Sequence, residues 1–272
     1  MIVVNHEKCI KCNRCIDDCV VKIIRKNDSN QIFMPEELEK YCLNCQHCLA
    51  ICPTGALTCG EVTAAQCDPV GDLPTPENML NLLRQRRSIR RFRNENIAPE
   101  VMEKLKRSLA WSATGCNDHS LFFRIVDNRD DMTFFREKTA SMLKFLVRSG
   151  ILKLLYPNVK RFLQEIMNGE DVVFRNAPHM IVCAVNKKAP CKEADPWIAL
   201  SNFDLFAQTL NIGTCWCGFA GYAFKFNRAM RKKLDIPHGW KIASVMLFGP
   251  TDITYARATN PPDFKISTKN NS

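Results

Sequence analysis

The chain has 272 residues, enough for one large domain and a small one, and its 46% hydrophobic content is that of a soluble globular protein. Its formal charge of +10 is unevenly spread: residues 1–60 hold seven Lys/Arg against seven Asp/Glu, so residues 61–272 carry the whole excess. Charge interrupts every apolar stretch before the ~18 residues of a membrane span, and no basic region precedes Met1-Ile2-Val3-Val4 as in a signal peptide, so a cytoplasmic protein without a membrane partner is expected. The basic excess suits solvated faces, a phosphate-bearing cofactor or an acidic redox partner. No nucleic-acid partner is expected, because the basic residues are not interleaved with aromatics in any binding motif.

Eight of the fifteen cysteines lie in two runs, Cys9, Cys12, Cys15, Cys19 and Cys42, Cys45, Cys48, Cys52, the second followed by Pro53. Each run reads C-x2-C-x2-C-x3-C, and each Cys of the second stands 33 positions after its counterpart, so two similar half-structures should pack about a pseudo-twofold axis. This spacing holds 4Fe–4S clusters. Three close thiolates wrap one face of a cubane and the fourth reaches the other cluster. One cluster is therefore expected on Cys9, Cys12, Cys15 and Cys52, the other on Cys42, Cys45, Cys48 and Cys19. Zinc would leave four thiols unexplained, and disulfides suit a secreted chain. Residues 1–60, including Cys52-Pro53-Thr54-Gly55-Ala56-Leu57, resemble the two-cluster ferredoxins. Val20, Lys11 and Asn13 depart from that pattern without removing a ligand.

Residues 61–78 contain three prolines and a glycine and read as an extended connector, with the second domain, residues 79–272, starting at Met79. Pro99 opens a helix running to about Trp111, and Asp195-Pro196 opens another through Leu210, ended by Asn211-Ile212-Gly213. Leu121–Val126, His179–Val185 and Lys241–Phe248 are short, apolar and rich in branched or aromatic residues, which predicts strands. Residues 130–168 look largely helical, and the stripe over Ser141–Tyr156 fits a helix packed on its own domain or on a second copy. Long helices around few strands give an α+β fold. Neither a P-loop nor a Rossmann glycine motif is present.

Arg86-Arg87-Ser88-Ile89-Arg90-Arg91-Phe92 places a cationic cluster with a hydroxyl at a helix end. Taken alone it fits a solvated basic turn or an anion site with forked, charge-assisted donors. It also resembles the opening of the FMN-dependent nitroreductase domain. Further segments follow in that family's order. Ala110 to His119 is similar to its A-P-S/T-G-x-N-x-Q loop, and Phe174-Arg175-Asn176-Ala177-Pro178-His179 to its R-x-A-P segment. Asn211 to Phe219 is similar to G-L-G-T-C-W-x-G-G-F, and Leu247-Phe248-Gly249-Pro250 with Tyr255-Ala256-Arg257 to its last strand and tail.

The resemblance implies a mixed sheet flanked by helices, a homodimer, and FMN bound by Arg86, Arg87, Ser88 and Arg90. It implies that Thr114, Gly115 and Asn117 come from the other subunit, that the Cys217 and Gly218 backbone N–H groups face the reactive flavin nitrogen, and that Arg257 neutralises phosphate. Ala113 and His119 stand where the family has Pro and Gln, which alters the ring contacts. Cys215 and Cys217 read as buried packing rather than a redox pair, and Cys116 with His119 as loop packing rather than nucleophile and base. Cys59, Cys67, Cys183 and Cys191 lack ligand spacing.

No catalytic triad is expected, since cofactors would carry the chemistry. The expected activity is electron transfer from a low-potential donor such as ferredoxin, or from NAD(P)H, through two 4Fe–4S clusters and FMN to a small planar acceptor such as a nitroaromatic or quinone. The alternatives are a redox sensor without sustained turnover and a nucleic-acid-associated iron–sulfur protein.

Overall fold

The computed structural model describes residues 2–150, 160–260 and 265–268. They form two compact units, Met1–Leu73 with Cys116–Asp118, and Pro74–Gly115 with His119–Ser272.

In the first unit, β1 (Ile2–Val4) pairs antiparallel with β4 (Leu57–Cys59), which pairs with β5 (Val62–Thr63), while β2 (Arg25–Lys26) pairs with β3 (Ile32–Phe33). Two short helices, α1 (Arg14–Asp18) and α2 (His47–Ala50), start 33 residues apart and are entered through Asn13 and Gln46, both in the left-handed conformation. Lys11 and Asn44, a further 33-residue pair, are left-handed as well. The sequence repeat is thus a repeat of backbone shape. Ile2, Ile23, Ile24, Ile32, Leu49 and Leu57 form the core beneath it.

The connector expected over residues 61–78 needs correction at both ends. Gly60, at φ +62°, makes the two-residue turn into β5, and the Thr63–Gln66 capping box closes a 3-10 turn at Ala64–Gln66. At the far end Thr75 accepts the Asn78 N–H at 3.2 Å and starts α3 (Pro76–Gln85). Prolines at residues 69, 74 and 76 prevent helix between these points, but Pro76 is a favourable first-turn residue.

The second unit continues with α4 (Pro99–Ser108), prolonged by a 3-10 turn at Leu109–Trp111, then β6 (Leu121–Val126), α5 (Arg129–Arg148), α6 (Lys160–Asn168) and β7 (His179–Asn186). It ends with α7 (Asp195–Thr209), β8 (Ile212–Trp216), α8 (Gly218–Phe226), α9 (Arg228–Leu234) and β9 (Trp240–Pro250). Residues 151–156 of the amphipathic stripe lie outside the described residues. The sheet order is β6-β7-β9-β8. All three pairings are antiparallel where the resemblance implies a mixed sheet, because β7 and β8, joined through α7, run the same way and β9 lies between them and runs against both.

Both faces of the sheet are covered. Met180, Val182, Val245 and Leu247 join Met132, Phe135, Phe174 and Phe224 in one core, and Ile181, Cys183, Met246 and Phe248 join Leu105, Leu200 and Phe203 in another. The period-2 alternation along β7 and β9 sorts the side chains between the two. Strand β8 falls where the sequence suggests only a helix stop. Asn211, left-handed at φ +56°, ends the helix and the chain enters the sheet edge directly.

Candidate functional site

In the first unit the eight motif cysteines separate into two cavities. Cys9, Cys12, Cys15 and Cys52 line one, and Cys19, Cys42, Cys45 and Cys48 line the other, which Cys59 also lines. Among the described residues no trio of His, Cys, Asp or Glu is gathered tightly enough for a single metal ion. Backbone donors are aimed at the sulfurs: Ala56 N–H lies 3.3 Å from Cys52 Sγ and Asn44 N–H 3.4 Å from Cys42 Sγ. Burial pushes the Cys52 thiol up, but the donors from Ala56 and Thr54 outweigh it and hold that thiol below its ordinary value. Cys15 is raised by burial, and Cys48 is pushed up to about 12 by burial and then by the charge of Cys59, so both are protonated until iron displaces the proton. Asn117 belongs to this unit, its carboxamide donating to the Leu43 and Asn44 carbonyls at 3.2 Å each.

The second unit holds a cavity of about 310 Å³ at the start of α8. Ser88, Arg90, Arg175, Cys217, Gly218 and Tyr222 line it. Ile89 explains why Ser88 and Arg90 reach it. Its side chain is buried against Gly213 and its N–H donates to the Thr214 carbonyl at 2.7 Å, which sets its two neighbours around the cavity. Gly218 opens the helix with bare backbone, and a Cβ there would meet no atom within 4 Å. First-turn N–H groups of a helix lack intrahelical acceptors, so this end of the cavity offers donors to an electron-rich group.

The Cys217 N–H is not one of those donors. It bonds the Val245 carbonyl at 2.9 Å, because the β8–β9 ladder runs one residue past Trp216, so of the two N–H groups expected to face a flavin the Cys217 one is already committed to the sheet. The Cys217 thiol faces the Val173 carbonyl, and burial pushes it up to about 12; Cys215 is raised by burial too. Neither is an activated thiol.

Other predicted residues are placed elsewhere. Arg86 pairs with the buried Asp204 carboxylate at 3.3 Å, and Thr214 Oγ1 bonds the other oxygen of that carboxylate. Arg87 donates to the Arg86 carbonyl and to Thr259, and Arg257 is exposed. Thr114 Oγ1 accepts the His119 N–H, while Gly115 donates its N–H to Asp195 at 3.1 Å and has Cys191 where a Cβ would stand. Arg175 lines the cavity although its motif carries no expected contact to FMN. It sits with Asn176 in a pair of left-handed residues whose turn the Asp171 carboxylate caps from outside the segment.

Paired thiol-lined cavities on a small β-module, and a basic cavity at a helix start on a helix-covered antiparallel sheet, define an iron–sulfur redox protein with a second cofactor-sized site. Comparisons agree with that class. Residues 8–57 match the 4Fe-4S dicluster domain and residues 83–250 the nitroreductase family. Over 57 residues, 21% of this chain and 73% of the relative, the chain is 42% identical to an uncharacterized ferredoxin of Methanocaldococcus jannaschii. A nitroreductase with bound FMN from Desulfitobacterium hafniense is similar in structure at 22% identity and TM-score 0.54, over 68% of this chain and 93% of that one. One from Bacteroides fragilis, also with bound FMN, aligns at 18% identity and TM-score 0.53 over 70% and 98%. At such identities these structures speak for the fold. The chain belongs to the nitroreductase family, a family of oxidoreductases, and carries a 4Fe–4S ferredoxin domain at its N-terminal end.

Proposed function

We propose that the protein is a homodimeric, FMN-dependent oxidoreductase that takes electrons from a low-potential donor through two 4Fe–4S clusters and passes them to a small planar acceptor such as a nitroaromatic or quinone. The observation that carries this reading is the crossed sorting of the cysteines, in which Cys52 joins the first run and Cys19 the second. Two four-thiol sets on a 33-residue repeat suit two cubanes. The bound clusters would supply single electrons and FMN would pool two of them.

The residues fit those groups. Ala56 and Asn44 direct N–H bonds onto ligand sulfurs and so stabilise the thiolate form. Ser88, Arg90 and Arg175 bring one hydroxyl and two guanidinium groups to a cavity that also has the bare backbone of Gly218, a donor set suited to an anionic cofactor with an electron-rich ring. Tyr222 and Phe219 supply aromatic surface at its mouth against which a planar acceptor can stack. Met79, Leu80 and Leu83 leave an apolar face of α3 exposed in the single chain, which supports burial by a second copy.

The deciding experiment is anaerobic stopped-flow reduction of the FMN-loaded protein by reduced ferredoxin, NADPH or NADH, with the flavin absorbance followed. Rapid bleaching by ferredoxin, then repeated reoxidation by a quinone or nitroaromatic, is the expected result. Bleaching without sustained reoxidation by any acceptor would favour a sensor, and failure to retain flavin would refute the reading.

A further inference from the structure

The two halves of the ferredoxin unit differ at one place that the ligand motif does not explain. Cys59 is 1% exposed and lines the same cavity as Cys19, Cys42, Cys45 and Cys48. Its Sγ–H donates to Asn44 Oδ1 at 3.2 Å, and the backbone N–H of Asn44 points at Cys42 Sγ from 3.4 Å. Gly60 follows at φ +62°, and a Cβ there would lie in ordinary contact with Asn44 Oδ1 at 3.4 Å. Asn44 holds a left-handed conformation, φ +50°, that a short polar side chain tolerates better than most. The positions 33 residues earlier are Lys26 and Lys11, and Lys26 is exposed on β2, so the other half has no equivalent thiol or carboxamide.

We propose that Cys59 is a positioning residue for the cluster on Cys42, Cys45, Cys48 and Cys19: it clamps Asn44, so that the Asn44 N–H stays on the Cys42 sulfur, and thereby sets that cluster's potential above its partner's. The inference rests on the two-cluster reading. A donor on a ligand sulfur withdraws electron density and favours the reduced cluster, which carries the extra negative charge. Cys59 itself is not a ligand, because each cavity already has four motif cysteines. The clamp acts on one cluster only, which would order the potentials of two otherwise similar sites.

The test is anaerobic redox titration of the intact holoprotein, by film voltammetry with parallel EPR, on the parent and on Cys59→Ala, Asn44→Gly, the double variant and Lys26→Ala. Asn44→Gly keeps the backbone donor and tolerates positive φ, so it guards against a folding defect at Cys59. About eight irons and two one-electron waves in the parent would establish the clusters independently of the clamp. Either single variant should keep its iron and shift one wave to lower potential by about tenfold in the oxidised-to-reduced ratio, about 59 mV for a one-electron couple. The double variant should shift no further than either single one, and Lys26→Ala should move neither wave. Unmoved waves in both single variants, equal movement of both waves, or loss of about four irons from a folded Cys59→Ala protein would each overturn the proposal.

Discussion

Ile89 occupies the volume that a side chain at Gly213 would need. A Cβ on Gly213 would fall 2.8 Å from Ile89 Cγ2, while the Ile89 N–H holds the Thr214 carbonyl. That contact lies between the core and the basic cavity, because Ser88 and Arg90 flank Ile89. Gly213→Ala should therefore push Ile89 outward and carry both neighbours with it. The expected cost is about 1–3 kcal/mol of stability from overpacking, together with faster flavin release. Urea unfolding and FMN fluorescence would measure the two. Lowered stability with unchanged flavin affinity would show that the segment finds its place without Ile89.

A second prediction concerns iron. Anaerobic reconstitution should give about eight irons per chain, and Cys42→Ser should lose the signal of one cluster while sparing the other. Four irons in the parent, or an unaltered spectrum in the variant, would refute the assignment of the second cavity.

Arg86 is committed to a buried carboxylate. Its guanidinium meets Asp204, whose carboxylate is 4% exposed and held on its other side by Thr214. Arg86→Ala would leave a buried carboxylate with a single partner, so about 1–3 kcal/mol of stability should go with any loss of flavin. Arg86→Lys should recover part of the stability, since a point charge keeps the pairing without the fork. Thermal unfolding of the flavin-free protein would isolate the first effect. An unchanged midpoint in Arg86→Ala would mean that the pair contributes nothing.

That pair also shows where the sequence stops being readable. Arg86 and Asp204 are 118 residues apart, and nothing local announces their meeting. The cluster cavities were readable because their information is a spacing, repeated after 33 residues and echoed by the left-handed residues Asn13 and Gln46. Strand β6 begins and ends where its run of branched and aromatic residues does, and β7 exceeds its predicted limit only by Asn186. Strand β8 has no such signal, since Gly213 and Cys215 interrupt any alternation, and its place depends on β9 across the ladder. Arg175 was hidden for a similar reason: its turn is defined by Asp171, not by its own neighbours.

His179 gives a prediction in pH. It is fully buried on β7, accepts the Ile97 N–H through Nε2 at 3.0 Å, and burial pushes it down to about 4. The unfolded chain takes up the proton near 6.5, so the stability from neutral His179 is complete above that pH and is lost as pH falls towards 4. The full difference is on the order of 3 kcal/mol. His179→Gln keeps an acceptor for Ile97 and should flatten the fall in urea midpoint between about pH 6.5 and 5. An equally steep fall in both proteins would place the titration elsewhere.

The last prediction concerns the ferredoxin unit as the electron inlet. Covalent linkage keeps that unit at a high effective concentration near its acceptor whatever the geometry between the two. The division for this experiment lies at Leu73 rather than at residue 60, because β5 pairs with β4 through Thr58↔Thr63 and Cys59↔Val62. Cutting at residue 60 would strip β5 from one protein and leave it unpaired in the other. Residues 74–272 keep both cores of the second unit, the Ile89–Gly213 contact and the cavity at Gly218. The shortened chain should therefore fold, dimerise and retain FMN, with dithionite reducing the flavin as before and an acceptor reoxidising it. Reduction by ferredoxin should slow by at least tenfold, since the donor would have to approach the flavin directly. Equal ferredoxin-dependent rates in the full and shortened chains, measured by stopped flow at matched flavin content, would show that electrons do not enter through the cysteine-rich unit.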